Sequence, residues 1–215
     1  MKLTSRAWLL TAALFYLPFA VATPTQVIEP RFGVNGAGNL GLFLIIHNQV
    51  NFEEYAQMRT NMNRFLAHLE EVTGQRTTVT IIDDAPGLSD FGYRQDDVDQ
   101  MLRDFYSASN DYADQNNLPR PSDRHKYLLV TSNKINWTYH GISVKSHNIG
   151  VASLKEANTL PHEIGHLIGA EHEAATGFPC QTIMWDDSVT SVNACHIFSE
   201  DNQQAIRDYL SEARR

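Results

Sequence analysis

HEIGHLIGAEH, residues 162–172, is the stretch on which the reading of this chain turns. His162 and His166 are four residues apart, so on a helix they lie one turn apart on the same face and reach a common point. Glu163 follows the first histidine directly, which sets its carboxylate beside that point as a base and not as a ligand. His172 lies six residues past His166 and cannot share the helical face, so the chain must turn back to bring it round. Gly169 supplies the turn, because glycine adopts positive φ without steric cost. A helix ending there redirects Ala170, Glu171 and His172 toward the first two histidines. Three neutral imidazole nitrogens of this kind suit a zinc ion with one coordination position left for water, the arrangement of a catalytic site.

The pattern H-E-x-x-H-x-x-G-x-x-H, followed downstream by a methionine, resembles the metzincin clan of zinc metallopeptidases. The resemblance spans about 150 residues if the upstream strands are included, and the zinc motif is its specific part. It implies one catalytic Zn2+ held by His162, His166 and His172, with Glu163 as the catalytic base. It also implies that Met184, in CQTIMWDD, occupies a tight turn beneath the metal as support, and that the loop from Trp185 to Val192 closes a substrate pocket. Glu173 after the third histidine is similar to astacins. Astacins and serralysins, however, carry a metal-binding tyrosine two residues after the methionine, where this chain has Asp186. Cys180 near Met184 is similar to adamalysin-like enzymes, so the expectation is an adamalysin/reprolysin-like or an unclassified small metzincin. No cysteine lies upstream of the motif to cap the metal in the matrixin manner.

With 215 residues, 42% hydrophobic and 20% charged, the chain is long enough for one domain with a full core. Residues 1–22 carry Lys2 and Arg6, then an uncharged apolar run ending in Ala20-Val21-Ala22. This pattern predicts a signal peptide cleaved between Ala22 and Thr23, and so a secreted or periplasmic protein. Pro18 and the shortness of the run argue against a membrane anchor. Export would let the two cysteines, Cys180 and Cys195, form a disulfide bond, with two buried free thiols as the alternative. Without the signal, 15 basic residues stand against 25 acidic ones, a formal charge of −10. That disfavours nucleic acid and anionic membranes as partners.

After an irregular lead-in over 23–41, the single catalytic domain is expected over 42–215. Leu42–Ile46 reads as a buried strand, and Phe52, Tyr55, Met58, Met62, Phe65, Leu66 and Leu69 recur at helical spacing before Gly74. Thr77–Ile82 predicts a second strand and Val98 to Tyr112 a second helix. Tyr127–Thr131 predicts a third strand. The alternation gives an α+β fold, a mixed, mostly parallel sheet with packed helices. Residues 141–153 read as two short extended stretches, one of which the resemblance makes the sheet's edge strand beside the cleft. An exposed edge of this kind receives an extended peptide through main-chain hydrogen bonds. Pro161 confines the motif helix to a late start, since proline fits a first turn and disfavours helix at Leu160. Ser199 predicts the N-cap of a last helix whose apolar stripe is Ala205, Ile206, Tyr209 and Leu210.

The expectation is thus a secreted, monomeric zinc endopeptidase acting on peptide or protein substrates through a zinc-activated water. The alternatives are a zinc hydrolase of a small non-protein amide and a catalytically inactive zinc-containing binding module. His47, His68, His125, His140, His147 and His196 show no metal spacing. Asp96, Asp97, Asp99, Asp111 and Asp114 lack the glycine and terminal glutamate of a calcium loop. Asn136-Trp137-Thr138 is a glycosylation acceptor in a eukaryotic host.

Overall fold

A computed structural model of the chain describes residues 27–28, 40–185 and 194–213. The segment 1–22 expected to be a signal peptide, the residue at position 186 and most of the loop expected to close a substrate pocket lie outside the described residues.

Six strands form one sheet: β1 (Val27–Ile28), β2 (Leu40–Ile46), β3 (Thr77–Ile82), β4 (His125–Thr131), β5 (Gly141–Val144) and β6 (Ile149–Ser153). Their spatial order is β1-β3-β2-β4-β6-β5. The four central strands run parallel, and the two outermost, β1 and β5, are antiparallel to their neighbours. The α+β expectation with a mostly parallel sheet is met. Central parallel strands are buried on both faces, so they read as continuous apolar runs without alternation. LGLFLII in β2 is buried at every position. Three points differ from expectation: β2 begins at Leu40, β4 begins at His125 and not at Tyr127, and Val27–Ile28, inside the stretch expected to be irregular, pair with Thr80 and Val79.

Helix α1 (Phe52–Thr73) opens with a capping box, in which the Asn51 side chain accepts from the Glu54 amide and Glu54 accepts from the Asn51 amide. It stops at Gly74, whose φ of 61° is the left-handed conformation that ends helices. Met58, Met62, Phe65, Leu66, Leu69 and Val72 are buried along it. Phe52, expected on that apolar face, is 87% exposed, because it is the first helical residue and precedes the turn that meets the sheet. Helix α2 (Val98–Gln115), capped by Asp97, covers the opposite face with Met101, Leu102 and Phe105.

The face under α1 also carries α3 (Thr159–Leu167) and α4 (Glu200–Glu212), so that one apolar cluster joins β2, β4, α1, α3, Met184 and α4. Leu160 is helical although it precedes Pro161. Thr159, Leu160 and Pro161 are all buried, and that burial outweighs the local restriction. Ser199 caps α4 by accepting from the Asn202 amide, and Ile206 and Leu210 are buried on its inner face.

Candidate metal centre

Helix α3 places His162 and His166 on one face, as their spacing predicts. It ends at Leu167, two residues before Gly169. Ile168 is the C-cap, and the reversal that follows is a Schellman motif: the Gly169 amide donates to the His166 carbonyl, and the Ala170 amide to the Gly165 carbonyl. Gly169 has a φ of 101°, and a Cβ there would sit 3.0 Å from Cβ of Tyr209 and 3.3 Å from the Ala205 carbonyl of α4. Both the left-handed backbone and the close approach of α4 require glycine.

The reversal returns His172 to the helix. Its Nε2 lies 2.9 Å from Nε2 of His162 and 3.0 Å from Nε2 of His166. These are the three residues, among those described, whose ligand atoms cluster as a metal site. Their protonation fits a cation. Nδ1 of His162 is 2.9 Å from the Ile183 carbonyl, and Nδ1 of His166 is 3.2 Å from the Ala170 carbonyl. A carbonyl only accepts, so each Nδ1 carries the proton and each neutral ring turns a lone pair from Nε2 toward the shared centre. Burial, and next the nearby His172, lower the pKa of His166, which keeps it in the neutral ligand form. Lone pairs brought this close repel one another unless a cation sits among them. The donor set, three imidazoles of which His162 and His166 have their tautomers set by backbone carbonyls, suits Zn2+.

Support comes from distant segments. Cys180 and Cys195 are joined in a disulfide with a Cα separation of 5.7 Å. Beside it, the Cys195 amide donates to Gln181 and the Ile183 amide to Ile197, which fixes the segment that bears the Ile183 carbonyl. Met184 is fully buried, and a Cβ on Gly165 would meet its sulfur at 2.5 Å and the Phe198 ring at 3.0 Å. The glycine inside HEIGH therefore lets the methionine lie directly against the motif helix. On the other flank, the Asn202 side chain accepts from the Glu171 amide at 2.8 Å and donates to the Glu171 carbonyl at 3.0 Å. Ser199 Oγ donates to the Ala174 carbonyl. Helix α4 thus grips the chain on both sides of His172.

Glu163 is 5% exposed beside the triad, and burial pushes its carboxyl up to about 7. The Ser143 hydroxyl acts in the opposite direction, although the side chains as placed make no hydrogen bond of ordinary geometry. Triad and carboxylate line an open cleft of about 310 Å³ whose far wall is β5 with His140 before it. That wall was only partly legible in sequence. His140, set aside as lacking metal spacing, and Gly141 and Ser143 reach the cleft because they sit on or beside the edge strand.

The remaining histidines have local roles. His68 Nε2 accepts from the Phe198 amide, His125 bonds Ser122, His196 bonds Asn158, and His147 packs on Tyr106. Asp97 caps α2, and Asp114 is paired with Arg120.

No family model matches the chain, and no curated protein matches it. Solved structures do. Metalloproteinase-II from Bacteroides fragilis superposes with a TM-score of 0.55 at 18% identity, covering 80% of this chain and 53% of the other. The chain therefore spans about half the length of that protein. Archaemetzincin from Methanopyrus kandleri matches at TM-score 0.48 and 15% identity over 83% of this chain and 99% of the other. A zinc-dependent peptidase from Methanocorpusculum labreanum matches at 0.43 and 17% over 79% and 100%. At such identities a likeness concerns architecture, and the first of these carries it: the sheet and helices are arranged as in a metalloproteinase, in agreement with the metzincin resemblance of the motif.

Proposed function

We propose that this chain is a secreted zinc endopeptidase of metzincin type. The observation that carries the reading is the convergence of three Nε2 atoms, two with tautomers locked by backbone carbonyls, beside the buried carboxylate of Glu163. His162, His166 and His172 would hold the ion, with Met184 beneath them. A zinc ion there supplies Lewis acidity, polarising the scissile carbonyl and lowering the pKa of water to about 7. Glu163 takes the proton from the attacking water and passes it to the leaving amine, so no covalent intermediate forms. Its burial favours this exchange, because a carboxyl raised toward neutrality both accepts and returns a proton near pH 7.

A peptide substrate is favoured over a small amide by the wall of the cleft. Strand β5 pairs on one side with β6, and among the described strands nothing pairs with its other side. Such an edge bonds an extended chain through its backbone. The Bacteroides fragilis metalloproteinase, whose architecture this chain shares, supports the same class. Export is supported by the 1–22 signal pattern together with the Cys180–Cys195 bridge, a bond at home in oxidising compartments.

The test is cleavage of a mixed peptide library with and without chelator, with zinc assayed in the same sample. Glu163→Ala is expected to keep its zinc and lose on the order of 10²- to 10⁴-fold in kcat. Undiminished cleavage by that variant, or by chelated wild type, rules the reading out.

A further inference from the structure

The carboxylate of Glu163 lies on a bare stretch of backbone. A Cβ built on Gly141, the first residue of β5, would stand 2.6 Å from Oε1 of Glu163, 2.8 Å from Cγ and 2.9 Å from Cδ. Real Cβ atoms do not approach that closely, so with any other residue at position 141 something must shift, and the nearest atoms are those of the Glu163 side chain. The three atoms nearest to such a Cβ all belong to Glu163, and Gly141 has no positive φ that would itself call for glycine. Ser143, two residues along and therefore on the same face of the strand, brings its Oγ toward the same carboxylate, and that oxygen is buried without a hydrogen-bond partner. Opposite Ser143 in the ladder stands Gly150, where a Cβ would come within 3.1 Å of Cβ of Ser143. The edge strand is thus cut away at Gly141 to admit the carboxylate, with a hydroxyl beside it.

We propose that Gly141 is a positioning residue: the exposed backbone of the edge strand sets where the Glu163 carboxylate rests, so that the strand forming the substrate wall also aims the base. The inference rests on the reading of Glu163 as the base. Its physical content is a single close approach. On one side the carboxylate meets β5, and on the other lies the open cleft, so a methyl at position 141 swings it into the cleft without disturbing the histidines, which are held from Ile183, Ala170 and α4.

The experiment is a cycle of Gly141→Ala with changes at Glu163. Gly141→Ala alone is expected to keep full zinc content and lose on the order of 10²-fold in kcat with KM changed less than about threefold, the signature of a misplaced group. In a Glu163→Ala background, which removes every atom that collides, the same substitution is expected to change the residual kcat by less than about threefold. Equal losses in both backgrounds overturn the proposal, since they mean damage to the strand itself. A second readout needs no activity. In metal-free protein, Gly141→Ala should lower the melting temperature in the presence of Glu163 and leave it unchanged in a Glu163→Ala background. Aggregation of Gly141→Ala relieved by Glu163→Ala supports the proposal, and aggregation in both backgrounds overturns it. If wild type cleaves no peptide while the melting cycle shows this coupling, the peptidase reading fails and the placement of Glu163 by Gly141 stands.

Discussion

Asn202 lies 31 residues beyond Glu171, yet its amide group satisfies both backbone groups of that residue, immediately before the third histidine. It is fully buried, so its loss leaves a donor and an acceptor without partners. Asn202→Ala is therefore expected to cost about 1–3 kcal/mol in chemical denaturation. It should also weaken zinc binding about 10- to 100-fold, as loss of groups that orient ligands does. Titration against a competing chelator measures the second effect, and unchanged affinity refutes the role. Such residues mark the limit of what a sequence discloses. His162, Glu163, His166, Gly169 and His172 announce themselves because their side chains or backbone freedom suit the proposed chemistry and their spacing follows helix geometry. Two of the groups that orient them are the carbonyls of Ile183 and Ala170, which every residue possesses, so no residue type marks them. Gly141 is equally silent: only its distance from Glu163 in three dimensions shows that a missing methyl matters.

Among the elements, the segment 181–183 joins two halves of the site. The disulfide and the Ile183–Ile197 hydrogen bond anchor it, and it presents a carbonyl to His162. Replacing both cysteines by serine frees a loop of 15 residues in the unfolded chain and is expected to cost on the order of 3 kcal/mol. It should also lower zinc affinity, because the carbonyl loses its anchor. A melting curve and a zinc titration on the double variant test the two together, and a loss of stability with unaltered zinc affinity separates the bridge from the site. Strands and helices were legible wherever periodicity and stop signals agreed, as in β3, α1 with Gly74, and α4 with Ser199. The departures came where tertiary burial overrode local preference, at Leu160, or where a helix began before reaching the core, at Phe52.

For the whole molecule, α4 is tied to the sheet at its far end as well. Lys126, on β4, is fully buried, with Nζ bonded to Asn148 and to the Tyr209 hydroxyl and lying 4.8 Å from the Tyr209 ring centroid. Desolvation lowers its pKa to about 7, Asp123 opposing and Lys145 reinforcing the shift. Between that value and its ordinary 10.5 the unfolded chain holds the proton and the folded chain releases it, so stability rises with pH through this window. Relative to Lys126→Met, wild type should gain on the order of 2 kcal/mol between about pH 7 and pH 9. Denaturant melts at the two pH values check this, and parallel curves contradict it. The grip of α4 on residues 171 and 174 also has a consequence in time. A chain leaving the ribosome exposes HEIGHLIGAEH well before residues 199–210, and until those residues dock, the hydrogen bonds from Ser199 and Asn202 that grip the chain on both sides of His172 are not made. The three-histidine centre is thus held by a helix made after it, so a nascent chain, or one cut between the motif and α4, should bind zinc more weakly than the folded protein.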